Sequence, residues 1–199
     1  MKKTVITAFF PVLLILSGLA AAQQNNVNRT SEVKAVSNVD LKRYSGKWFE
    51  IARYPNDFQK KCVGNTTASY KIQSDGTIEV QNQCLKKDGT TIDAKGKAKI
   101  VDTTTNAKLK VRFAPGLLSF LPAVWGDYWI LDLDNNYQYA VVGDPNREYL
   151  WVLSRAPEMK EATYQNIQRR VEKMGFNPGK LIKTPQNSQA IKGAVVNKQ

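Results

Sequence analysis

The chain has 199 residues, room for one domain of ordinary size, and sets 29 Lys and Arg against 17 Asp and Glu for a formal charge of +12. It contains no histidine, which excludes Ser-His and Cys-His nucleophiles, histidine-ligated haem and most zinc sites. A carboxylate enzyme would need two acids held near one substrate atom, and no spacing points to such a pair. The expectation is therefore no catalytic residue, no metal and no cofactor.

Residues 1–22 read as a secretory signal. Lys2 and Lys3 give a basic start, residues 4–16 (TVITAFFPVLLIL) are almost wholly apolar, and Ala20-Ala21-Ala22 offers a small-residue cleavage site. The apolar run is shorter than the roughly 20 residues of a membrane span; a retained N-terminal anchor is the competing reading. No cysteine follows the run as an acceptor for a lipid anchor. The expected location is periplasmic and soluble, or secreted. Loss of Lys2 and Lys3 takes the charge of +12 down by two, to +10. Such a surface favours anionic partners, an anionic membrane surface among them. The lysines are scattered and the chain is exported, so nucleic acid is not expected.

Residues 23–37 are polar and aperiodic and read as a flexible leader. From there the pattern is short strands cut by turn-formers. Candidates are 47–54, 66–73, 77–84, 91–101, 107–114, 125–134, 137–143 and 148–155. The breaks include Ser74-Asp75-Gly76, Lys87-Asp88-Gly89, Asn135-Asn136 and Asp144-Pro145-Asn146. "SDGT" and "KDGT" are hairpin signals. Eight strands on short turns predict an antiparallel up-and-down barrel, because closure removes exposed edges. After Pro157 the period changes. Tyr164, Ile167, Val171 and Met174 fall on one helical face, so a helix over 158–174 should pack outside the barrel. Pro157 and Glu158 suit its first turn and Gly175 its C-terminal cap. Residues 180–184 can add a short strand, and 185–199 form a polar tail. The two cysteines, Cys62 and Cys84, suggest one disulfide in an oxidising compartment, with two free thiols as the alternative.

Three segments belong together: "GKWFEIARYP" from Gly46, "GDYWILDLDNNYQYAVVGDP" from Gly126 and "YLWVLSRAP" from Tyr149. In this order they resemble the lipocalin family, and most of all its bacterial lipocalin and apolipoprotein D branch. The resemblance spans residues 38–184. One departure is Gly126, where the family's middle motif usually begins with threonine; Asp127 and Tyr128 keep the rest. The resemblance implies an eight-stranded calyx whose closed end is sealed by Gly46, Trp48 and Arg155. The guanidinium would lie on the indole face, a contact of about 0.5–2 kcal/mol. With Trp48 at the bottom, the loop 55–65 and the end of the third strand both reach the open end, which brings Cys62 to Cys84.

The same frame gives pocket candidates. If Arg155 points inward, Leu153, Trp151 and Tyr149 share its face. Tyr54 and Trp125 are candidate upper walls. The loop 115–124 (PGLLSFLPAV), with Phe120, is unusually apolar and lies at the mouth, as lid, lipid lip or simple packing. Plain barrel core is the competing reading of the tryptophans. The resemblance implies non-covalent binding of a fatty acid, lysophospholipid or similar lipid by a monomer or dimer. A lipid-converting enzyme and a partner-binding protein with a filled barrel are the alternatives.

Overall fold

In a computed structural model of the chain, the described residues are 32–113, 121 and 124–186. The signal and the Phe120 candidate lie outside them. A short helix α1 (Leu41–Tyr44) leads into β1 (Gly46–Arg53), β2 (Cys62–Ile72), β3 (Ile78–Lys86), β4 (Thr91–Ile100), β5 (Lys108–Arg112), β6 (Gly126–Leu133), β7 (Tyr139–Gly143) and β8 (Leu150–Ser154). Helix α2 (Glu161–Lys173) and a two-residue strand β9 (Ile182–Lys183) follow. Neighbours pair in sequence order from β2 to β8, β8 pairs with β1, and β1 pairs with β2 to close the barrel. The expected meander, late helix and short last strand are all present.

The two DGT turns work as their composition requires. Gly76 and Gly89 take positive φ (77° and 82°). The Asp75 and Asp88 carboxylates accept the backbone N–H of Thr77 and Thr90, at 3.0 and 2.9 Å. The Thr77 and Thr90 hydroxyls, which donate to the same carboxylates, then those N–H bonds and the neighbouring lysines, hold both carboxyls down at about 2.

Two apolar layers lie on either side of the barrel wall. One fills the interior around Trp48, Tyr70, Val80, Leu109, Ile130 and Leu153. The other fills the gap between wall and α2 with Tyr54, Leu150, Tyr164, Ile167 and Val171. The helical face read from the sequence is thus the buried one. The helix starts later than its composition suggests: Lys160 is the N-cap, and Pro157 and Glu158 precede it. Gly175 caps the other end at φ 82°. Its N–H reaches Glu172 O (2.9 Å), and that of Phe176 reaches Val171 O (3.0 Å).

The packed domain is longer at both ends than the motifs suggest. Val33 is buried against α2's layer and Val39 in the barrel interior. The Val36 N–H bonds Ile130 O at 2.9 Å. These valines are the apolar anchors of an otherwise polar stretch. At the C-terminus β1 and β2 part after Phe49↔Thr67, and β9 fills the seam on Ala52 and Arg53. The Gln186 amide donates to Glu50 O (2.7 Å) and Thr66 O (2.9 Å), restoring the lost ladder through a side chain. Gln186 is therefore part of the packed structure.

Candidate functional site

The closed end is built from α1, β1 and the end of β8. Trp48 is fully buried. Its indole N–H donates to Tyr44 O at 2.8 Å. The Arg155 guanidinium lies 3.8 Å from the Trp48 ring centroid. It also donates to Lys47 O (2.8 Å), Arg43 O (2.6 Å), Tyr44 O (3.1 Å) and Ser45 O (3.0 Å). A helix end leaves orphan carbonyls, and one cation gathers them here. Burial pulls the Arg155 pKa down from its usual value. Asp40 caps the other end of α1, accepting from Lys42 N and Arg43 N. Gly46 sits at φ 91°, a left-handed backbone that suits glycine.

Directly above lies a layer of tyrosines. The Tyr44 and Tyr128 hydroxyls are 2.7 Å apart, and Tyr128 donates to Tyr70 at 2.8 Å. Burial raises Tyr70 to about 12, and it holds Tyr44 and Tyr128 well above the ordinary value. All three are neutral hydrogen-bonding groups at physiological pH. With Ile78, Val80, Leu109, Val111 and Ile130 they line a small cavity. It leaves ≈ 10 Å³ in which the centre of a water molecule can sit, about one molecule's worth. Among the described residues the lower calyx is therefore filled by its own side chains.

The wall above carries a buried ion pair, Glu50 and Arg53 at 2.9 Å. Thr184 donates to Glu50 Oε1 (2.6 Å) and accepts from Arg53 Nη1 (3.1 Å). The Gln59 amide donates to Glu50 Oε2 (2.7 Å) and accepts from the Trp151 indole N–H (3.0 Å). Gln59 is held there by a 3-10 turn, Asp57–Gln59, whose N-cap Asn56 accepts the Gln59 N–H. The same turn presents Phe58 to the mouth, 65% exposed. Its ring lies 5.7 Å from Tyr149 and 6.1 Å from Trp151, which stack on each other at 5.8 Å and 8°. The Cys62–Cys84 disulfide forms beside this rim with a Cα–Cα distance of 5.6 Å.

The sequence candidates therefore separate. Tyr149 and Trp151 meet at the mouth, and Leu153 lies in the barrel interior below them. Tyr54 does not face the calyx. The register slips between Glu50 and Ala52, which turns Arg53 inward and Tyr54 outward against Phe176, its hydroxyl donating to Asn177 O at 2.8 Å. Trp125 also faces outward. Tyr128 and Ile130 point into the barrel, so the other parity of β6 looks out, and Trp125 packs under Lys99 and Arg112 at 4.4 and 5.1 Å from its centroid. Asp127 is on the outer face too, paired with Lys110 at 3.1 Å. Phe58, Gln59, Glu50, Arg53, Tyr44 and Tyr70 were not singled out from the sequence. Asn56-Asp57 is a turn signal for the first two, and Tyr44 lies one helical turn before Trp48.

Among the described residues no group of three or more Cys, Asp or Glu could hold a metal ion, and no helix is long and apolar enough to cross a membrane.

Residues 39–186 match the family model of the lipocalin-like domain. The chain is 41% identical to temperature-induced lipocalin-1 of Arabidopsis thaliana, across 78% of this chain and 84% of that one. It is 37% identical to the outer membrane lipoprotein Blc of Vibrio cholerae (75% and 84% covered). Apolipoprotein D of Macaca fascicularis is 30% identical (89% and 96% covered). Insecticyanin of the tobacco hornworm Manduca sexta superposes with a TM-score of 0.64 at 21% identity, covering 80% of this chain and 87% of that one, a likeness of fold.

Proposed function

The chain belongs to the lipocalin family, whose members generally bind small hydrophobic ligands, and on that premise we propose that it carries a fatty acid, lysophospholipid or similar lipid in its calyx within the cell envelope. The observation that carries this is the asymmetry of the barrel. One end is closed by Trp48 and Arg155, and the other ends in a partly exposed aromatic rim of Phe58, Tyr149 and Trp151. A ligand entering there passes the Glu50–Arg53 pair with its Gln59 and Thr184 partners before it reaches apolar side chains and neutral hydroxyls. Apolar burial contributes about 25 cal/mol per Å² before the costs of association. Binding is non-covalent, and the protein acts as carrier, not catalyst, as a monomer or dimer. The Tyr149 hydroxyl and the basic surroundings suit an acidic headgroup at the rim. Since the lower calyx is filled, occupancy requires side chains to give way, and Phe58 is the most exposed large apolar side chain among the described residues.

The V. cholerae relative is by name an outer membrane lipoprotein. This supports an envelope location for the present chain, as does its apolar N-terminal run, and the basic exterior suits contact with an anionic membrane surface.

The filled lower barrel also favours a second reading, a protein that binds partners through its surface and carries nothing. Native mass spectrometry of protein purified from its own envelope separates the two. The carrier reading predicts a bound lipid released on activation, and saturable quenching of tryptophan fluorescence by fatty acid or lysolipid. No lipid and no quenching would leave the second reading.

A further inference from the structure

The outer wall at β4 and β5 carries a feature that the calyx does not use. Ala98, Leu109 and Val111 point into the barrel. The alternate residues Lys95, Lys97 and Lys99 of β4, and Lys108, Lys110 and Arg112 of β5, therefore stand together on the outer face. Register places Lys97 opposite Arg112 and Lys99 opposite Lys110. Like charges directly opposite each other on neighbouring strands destabilise a sheet. Asp75 tempers this at Lys97 and Asp127 at Lys110, each at 3.1 Å. Glu79 and Asp93 lie along the β3 border, where Asp93 accepts from the Gln81 and Gln83 amides. Lys95 and Lys99 project into solvent.

One tryptophan, Trp125, belongs to this face, and a second, Trp129, borders it while packing against the α2 layer. Lys99 Nζ lies 4.4 Å from the Trp125 centroid, and Lys108 Nζ lies 4.2 Å from that of Trp129. At the open end, three residues before Val124 and bonded to its N–H, Leu121 is 38% exposed; Phe113 instead keeps the inward parity of Leu109 and Val111 and lies over Gly96. Tryptophan ringed by lysine, with an exposed apolar side chain nearby, is the composition found where protein meets the headgroup layer of a bilayer.

We propose that the β4–β5 face docks the protein on a bilayer rich in anionic phospholipid. Phosphates would sit between the facing cation pairs and relieve their repulsion. Trp125 would lie at headgroup level, with Leu121 reaching the acyl boundary. A nucleic acid or acidic polysaccharide could answer the charge but would leave Leu121 without a role. The docking deepens the envelope reading above, and it does not depend on the calyx holding a ligand.

The test is co-sedimentation with vesicles of phosphatidylcholine, with and without phosphatidylglycerol. Wild type should pellet only with the anionic vesicles, and less as salt rises. Each lysine near such a surface is worth about fivefold in partitioning, so Lys95→Gln/Lys99→Gln/Lys108→Gln should bind about a hundredfold more weakly. Lys160→Gln/Lys173→Gln/Lys180→Gln, on the α2 side, serves as the matched control and should lose far less. Each protein is also titrated with monomeric lysophosphatidylcholine, so that a failed calyx appears in that titration and a failed docking face in the vesicle assay. A second variant, Trp125→Ala, should weaken vesicle binding at high salt, where charge is screened. Equal vesicle binding by the two triple variants, no preference for phosphatidylglycerol, or binding to DNA or heparin but not vesicles would overturn the proposal.

Discussion

The two ends of the barrel are held by different physics. At the closed end nearly every polar atom has a fixed partner: one guanidinium serves four carbonyls and one indole face, and one indole N–H serves a fifth bond. At the open end the side chains are longer, partly exposed and tied through amides. Gln59 links Glu50 to Trp151, and Phe58 leans on two rings with most of its surface in solvent. The closed end is built so that nothing moves. The open end keeps its backbone by covalent means, the Cys62–Cys84 bridge, and leaves its side chains adjustable. Stability and ligand affinity should therefore respond to different mutations.

The largest effect should come from the floor. Trp48→Ala removes a fully buried aromatic and should cost ~3–5 kcal/mol in denaturant unfolding. If instead the stability held and lysolipid binding vanished, floor and mouth would have exchanged roles. Reducing the disulfide should come next. Its ends are 22 residues apart, for which chain entropy suggests ~3 kcal/mol. Lysolipid affinity should fall too, because the Asp57–Gln59 turn that presents Phe58 leads into the tethered start of β2.

The tyrosine layer gives a pH signature. Tyr70 keeps its proton in the fold up to about 12, whereas the unfolded chain loses its proton near pH 10. Between those values the unfolded state binds fewer protons, so the Tyr70 contribution to stability falls as pH rises and is gone above the upper value, while Tyr44 and Tyr128 add losses of the same sign. The Tyr70 share is at most about 2–3 kcal/mol. Tyr70→Phe should flatten that part of a pH–stability curve measured by denaturant unfolding. The smallest effect on stability should be at the rim. Phe58→Ala should change it by less than about 0.5 kcal/mol while weakening lysolipid binding severalfold in a fluorescence titration. A large destabilisation with unchanged affinity would contradict the division between the two ends.

The closed end was legible in the sequence because its parts are single residues with fixed tasks. Trp48 and Arg155 lie in motifs, and motif order alone sets which end they occupy. The cysteine pairing followed from that orientation. The open end was less legible because it depends on parity, and parity is lost at irregularities. Counting by twos from Trp48 puts Glu50 and Tyr54 on one face. The slip between Glu50 and Ala52 moves Tyr54 under α2 and places Arg53 beside Glu50, and no residue there announces a bulge. Trp125 was assigned by its height near the mouth, whereas the inward direction of Tyr128 decides its side. Phe58 and Gln59 act through a three-residue turn, too short for periodicity to show. The strap formed by Thr184, Pro185 and Gln186 fills a seam that exists only because β1 and β2 diverge, a tertiary fact with no local signature.

The most direct test of the calyx uses its own tryptophans. Trp48 and Trp151 belong to the interior and Trp125 and Trp129 to the outer wall. Monomeric lysophosphatidylcholine with a brominated chain should quench the fluorescence saturably. Quenching should persist in Trp125→Phe/Trp129→Phe and drop sharply in Trp151→Phe. If quenching survives Trp151→Phe and disappears with the outer pair, the lipid binds outside the barrel and the calyx is not its site.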